Sequence, residues 1–171
     1  MAIIASARAD QNDPRLGALF QQLKTAPTSH AATDIEHRIW TIWFESGSPE
    51  IDKFLTDGEA AMAAGDFDAA LSDFNTVIAR KPKFAEGWNR RATLDYLMGE
   101  YQKSLDDIGH TLALEPRHFG ALSGLGLVDL KLDRKEAAAD AFKRVLAIDP
   151  QSETARQNLD MLNDVLKRKS I

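Results

Sequence analysis

The strongest limit on how this chain can fold is that it repeats itself at one fixed offset. Pro82, Pro116 and Pro150 are each 34 apart, which accounts for three of the six prolines. The same offset carries Phe54 to Trp88 to Leu122, Ala70 to Ser104 to Ala138, and Phe74 to Ile108 to Phe142. It also carries Val77 to Thr111 to Val145 and Gly58 to Ala92 to Gly126. A turn falls at the same place in each unit, as Gly65-Asp66-Phe67, Gly99-Glu100-Tyr101 and Asp133-Arg134-Lys135. A period of this length belongs to chains whose units cannot bury an apolar face alone and must stack to do so.

Within a unit the apolar spacing is helical. Ala70, Leu71, Phe74, Val77 and Ile78 follow the helical period, and Ala137, Ala138, Ala141, Phe142, Val145 and Leu146 repeat it. The small residues Gly58, Ala92 and Gly126 let the two helices of a pair approach closely. Each proline ends the second helix, because it donates no N–H and biases the preceding residue away from α. These features predict an all-α solenoid of antiparallel helix pairs, with units at 51–84, 85–118 and 119–152 and a lone capping helix at 153–171.

The pattern resembles the tetratricopeptide repeat, a helix–turn–helix unit of the same period. The second unit matches its signature best, through Trp88, Ala92, Gly99, Tyr101, Ser104, Ile108 and Pro116. The resemblance spans residues 51–169 and implies a right-handed superhelical solenoid that works in protein–protein interaction. In detail the chain is similar to small bacterial proteins of this family, some of them exported.

Residues 14–50 read as a degenerate helical pair in the same register. Asp13-Pro14 supplies a cap and a proline at the first helical position. Leu16, Leu19, Phe20 and Leu23 form one face, and the helix should stop before Pro27. Thr28 or Ser29 then caps a second helix carrying Ile35, Ile39, Ile42 and Trp43. Phe20 lies 34 before Phe54 and Trp40 lies 34 before Phe74, so the pair reads as an N-terminal cap stacked on the repeats. A separate hairpin docked on the solenoid is the alternative. Residues 1–13 read as disordered.

The resemblance further implies which side chains face the concave groove. In the first unit these are Asp52, Leu55, Thr56, Glu59 and Met62. In the second they are Glu86, Asn89, Arg90, Thr93, Tyr96 and Leu97, and in the third Gly120, Ser123, Gly124, Leu127, Leu130 and Lys131. Tyr96 is expected to anchor a partner peptide or helix, with Asn89 and Arg90 as directional donors. One subgroup of the family clamps a C-terminal carboxylate. Its positions match Leu55, Glu59, Arg90, Gly120 and Gly124 here, so the clamp is absent. Gly120 and Gly124 cost about 1 kcal/mol each inside a helix, and their bare backbone is expected to receive either a bulky partner side chain or a neighbouring helix. Asp57 and Arg91, one repeat apart where the family has leucine, are expected to form a structural ion pair between the first two units.

Other functions find little support. There are no cysteines, which removes disulfide scaffolds and thiol chemistry. The net charge of -5 does not suit nucleic-acid binding. Gly120 to Gly126 lacks the spacing of a phosphate loop. His30, His37, His110 and His118 have no metal-ligand spacing, and a capping or surface role is expected for His118 and His110. Lys167, Arg168 and Lys169 complement a helix C-terminus. The reading is therefore an adaptor without catalysis or cofactor, binding an unidentified protein or peptide, monomeric or weakly homo-oligomeric. A self-associating structural component with an unused groove is the alternative. Ala7-Arg8-Ala9 before Asp10 fits a small-x-small cleavage pattern, which leaves a periplasmic or envelope location open beside a cytoplasmic one.

Overall fold

The computed structural model describes residues 10–169; the Ala7-Arg8-Ala9 pattern lies outside them. Nine α-helices make up the described residues: α1 (Arg15–Lys24), α2 (Ser29–Phe44), α3 (Pro49–Ala63), α4 (Phe67–Arg80), α5 (Ala85–Leu97), α6 (Tyr101–Leu114), α7 (Phe119–Lys131), α8 (Lys135–Ile148) and α9 (Glu153–Lys169). Helices α3 to α8 form three antiparallel pairs stacked in chain order, with α9 packed on α8. The protein is an all-α solenoid. No described helix is long and apolar enough to cross a membrane.

The repeated residues build repeated geometry. The turn inside each pair needs one left-handed residue, supplied by Gly65 (φ 80°), Gly99 (φ 79°) and Asp133 (φ 56°). After each, a backbone N–H reaches back to the helix: Asp66 to Ala61, Glu100 to Asp95 and Arg134 to Asp129. The close approach within a pair is equally regular. A Cβ on Gly58 would lie 2.6 Å from the Phe74 ring, and one on Gly126 would lie 2.6 Å from Phe142. In the middle unit the facing residue is the smaller Ile108, and there the position holds alanine, Ala92.

The N-terminal pair does something else. Thr28 caps α2 by accepting from the Ala31 N–H (3.2 Å), and Asp13 accepts from the Arg15 N–H (2.8 Å). Yet the hairpin does not stack on α3 as α4 stacks on α5; it packs against α5, α8 and the turns between units. At the first turn, the Gln11 side-chain amide donates to the Lys83 carbonyl (2.6 Å) and accepts from the Ala85 N–H (3.2 Å). At the second, the Trp43 ring stacks on His118 with centroids 4.1 Å apart, and Arg117 lies 4.2 Å over Phe20. At the third, Gln151 donates to the Ala26 carbonyl (3.0 Å). The hairpin thus runs along the row of proline-bearing turns, and the expectation of an in-register cap is corrected. Residues 10–13 are correspondingly ordered, with Asp10, Gln11 and Asp13 buried.

Candidate functional site

Docking of α2 consumes one half of the expected groove. The Trp40 ring sits where a Cβ of Gly120 would be, 2.6 Å away. The bare backbone at Gly120 is therefore covered by this chain's own tryptophan. Trp40 and Trp43 also meet Phe119, with ring centroids 5.5 and 5.0 Å apart.

Beneath these rings lies a buried polar network. The Ala121 N–H donates to His118 Nδ1 (3.0 Å), so the hydrogen is on Nε2, which donates to Glu86 Oε2 (2.9 Å). Glu86 also accepts from Asn89 Nδ2 and from Arg90 Nε (2.5 Å). Burial alone would raise the Glu86 carboxyl; the Arg90 charge and the donors from His118 and Asn89 outweigh it and hold it below its usual range. Arg90 further pairs with Glu59 (3.0 Å) and lies 4.4 Å over the Phe44 ring. His118 is thus a buried cap and not a surface residue.

Several expected groove residues are accordingly structural. Leu55 is a core residue at 1% exposure, because its position in α3 turns it towards Phe74 and Leu94. Asn89 and Arg90 spend their donors on Glu86, and Glu59 is paired with Arg90. Met62 is half-buried against the first-unit core.

The other half of the groove is open. Between α5 and α7 lies a cavity of about 200 Å³ lined by Thr93, Tyr96, Ser123, Gly124 and Leu127, with Ile108 among the residues around it. Thr93 turns its hydroxyl back to the Asn89 carbonyl (3.0 Å). Tyr96 leans on Tyr101, with centroids 5.8 Å apart. A Cβ on Gly124 would meet only the Ile108 methyl, at 3.6 Å. Leu127 is 37% exposed, and Lys131, near the end of α7, is exposed. Chemically this is a small apolar socket with few free polar groups.

The expected pair of Asp57 and Arg91 is not formed. Asp57 pairs with Lys53 one turn away on the same helix. Arg91 instead grips Asp107 through Nε and Nη2 (2.7 and 2.8 Å) and donates from Nη1 to Asn75 (2.7 Å). The partner that half-buried Arg91 needs comes from the second helix of its own pair.

Trp40 and Phe44 shape this site, yet a reading of α2 as an outer cap does not single them out. Three large aromatics in one helical turn and a half, Trp40, Trp43 and Phe44, exceed what an outer solvating helix needs, and that excess is the available signal.

Comparison with known proteins agrees with this architecture. The family model described as tetratricopeptide repeat matches residues 55–108 and 89–153. A TPR repeat-containing protein of Rhizobium etli is 39% identical over 99 residues, covering 57% of this chain and 48% of that protein. The chain therefore spans about half the length of that curated relative. Among solved structures, the Sgt2 TPR domain from Aspergillus fumigatus superposes with a TM-score of 0.67 at 21% identity, over 72% of this chain and 83% of that one. The first TPR of Spaghetti (RPAP3), bound to the HSP90 peptide SRMEEVD, gives 0.66 at 20% identity, over 68% and 93%. The chain belongs to the tetratricopeptide repeat family.

Proposed function

We propose that this protein is a binding module whose partner, an extended or helical peptide, inserts an apolar side chain into the socket between α5 and α7. The observation that carries this reading is the socket itself, in which Thr93, Tyr96, Ser123, Gly124 and Leu127 converge on one cavity. The family's repeats are protein-interaction modules, and the RPAP3 domain carries an HSP90 peptide. A carboxylate-terminated tail is a poorer fit here, since Leu55 is core and Arg90 is held by two glutamates. The reading needs no catalytic residue or cofactor.

Selection from a displayed peptide library tests it. The selected peptides should share an apolar anchor, and Tyr96→Ala and Gly124→Leu should each weaken their binding about tenfold or more with circular dichroism unchanged. Peptides that bind both variants as tightly as the original protein would place the working surface elsewhere.

A further inference from the structure

A second concavity lies across α5 from the groove. Trp88, Arg91, Asp95 and Met98 project from the opposite side of that helix to Asn89, Thr93 and Tyr96, as the helical period requires. They form part of a cleft of about 440 Å³ to which α4 contributes Leu71 and Asn75 and α6 contributes Lys103, Asp106, Asp107 and His110.

The acidic and basic side chains of this cleft are engaged with one exception. Arg91 is taken by Asp107 and Asn75. Lys103 pairs with Glu100 (3.4 Å), and Asp106 accepts from Gln102 (3.2 Å). The His110 ring lies flat on Trp88, 4.1 Å between centroids. Asp95 is left over. It is only 5% exposed, and among the described residues its carboxylate has neither a hydrogen bond nor an ion pair. Its oxygens open onto the cleft, where only water or a bound group can pair with them.

The third unit shows what is missing. Asp129 stands one repeat after Asp95 and is equally buried, and it has a cation of its own in Arg134, 3.7 Å away. The residue one repeat before Arg134 is Glu100, which has the wrong sign. One unit completes the pair within the chain, and the other leaves the anion facing an open cleft with apolar walls. Met98, at 39% exposure, and Leu71 are those walls.

We propose that this cleft binds an alkylammonium group, of the size of a lysine side chain, with its ammonium on the Asp95 carboxylate and its stem between Leu71 and Met98. The site is separate from the socket and does not depend on it. Burial and the nearby Asp107 push the Asp95 carboxyl up to about 6, against the pull of Arg91 and Lys103 and with the help of Glu100. Asp95 is therefore charged at neutral pH, and binding should weaken as pH falls through about 6. His110, stacked on Trp88, and Asp106, exposed on the rim, are the other titratable groups of the cleft.

The test is a titration followed by NMR at the Met98 methyl and the Trp88 indole N–H. The probes are n-butylammonium, a blocked peptide containing one lysine, and the same peptide with norleucine. Saturable shifts with the ammonium probes and none with norleucine are expected. Asp95→Asn should weaken binding about tenfold or more. Glu100→Arg, which reproduces the third unit, should compete with the probe while leaving Asp95 in place. Tighter binding of the peptide than of the free amine would identify a lysine side chain as the ligand, and the reverse would identify a small amine; both support the site. Absence of saturation up to about 10 mM, or equal binding by Asp95→Asn, would overturn it.

Discussion

The hairpin of α1 and α2 and the pair of α3 and α4 are written in the same repeat register, and they pack differently for a local reason. In the true repeats the close approach is made by Gly58, Ala92 and Gly126 on one helix and Ala70, Ser104 and Ala138 on the other. The corresponding residues of the hairpin are Lys24 and Glu36. Neither fits a helix crossing in which even a methyl would meet a ring at 2.6 Å. Helix α1 also stops at Lys24 after 10 residues, where α3 runs for 15. A pair that cannot close like its neighbours cannot present the surface on which the next unit stacks. It buries its large aromatics along the turns instead, where His118, Phe119 and the bare backbone of Gly120 receive them. Periodicity alone therefore does not make a repeat; the small residues at the crossing do.

Substitutions on either side of this contrast should separate the two kinds of packing. The largest effect is expected at Trp43, which is 1% exposed in the core shared by hairpin and solenoid. Trp43→Ala should cost about 3–5 kcal/mol, read by denaturant unfolding. Hydrogen exchange should show α1 and α2 losing protection before α5 and α6. Trp43→Phe should be far milder, because among the described residues the buried indole N–H has no hydrogen-bond partner to lose.

Removing Arg90 should cost about as much. Arg90→Ala leaves Glu86 charged in the interior, a loss of about 3–5 kcal/mol. A surface arginine kept only for partner binding would instead leave the unfolding midpoint in place.

Within α7, Gly126→Ala should destabilise by about 1–3 kcal/mol by driving a methyl into Phe142. Repacking Phe142 as isoleucine, the residue at the matching position of the middle unit, should recover part of the loss.

The docking of the hairpin should also weaken as pH rises. Burial first, and then the facing Asp149 carboxyl, push Glu36 up to about 7. Its folded pKa is raised, so its contribution is full below its ordinary pKa of 4.5 and is lost as pH rises through about 7. The loss should be on the order of 1 kcal/mol after solvent screening. It would be read as a stability difference between pH 5.5 and 8.5 that Glu36→Gln abolishes.

The smallest effect is expected at Gly124, close by on α7. Gly124→Ala should stabilise by about 0.5–1 kcal/mol, since its methyl meets Ile108 at an ordinary 3.6 Å. A rise in melting temperature with no loss of peptide affinity would show that the socket does not use the space above Gly124.

The three units, their turns and their helix ends follow from the amino-acid order. Each of these rests on interactions within a single repeat length, such as a left-handed glycine, a proline after the last helical turn, or a small residue opposite a phenylalanine. Part of the candidate site was legible through the resemblance, which implies that Thr93, Tyr96, Ser123, Gly124 and Leu127 lie on the groove side of their helices. Where the hairpin went was settled by tertiary packing, and with it the fate of Asn89, Arg90 and Gly120. Those three looked free because what occupies them is only partly local: Glu86 is one helical turn before Asn89 and Arg90, but His118 reaches it from the far end of the unit, Glu59 comes from the preceding unit, and the Trp40 ring comes from the hairpin. Which buried charge finds its partner is likewise a matter of packing. Asp57 and Arg91 matched by repeat position, but the carboxylate that reached Arg91 was Asp107, brought beside it when α6 folded back on α5.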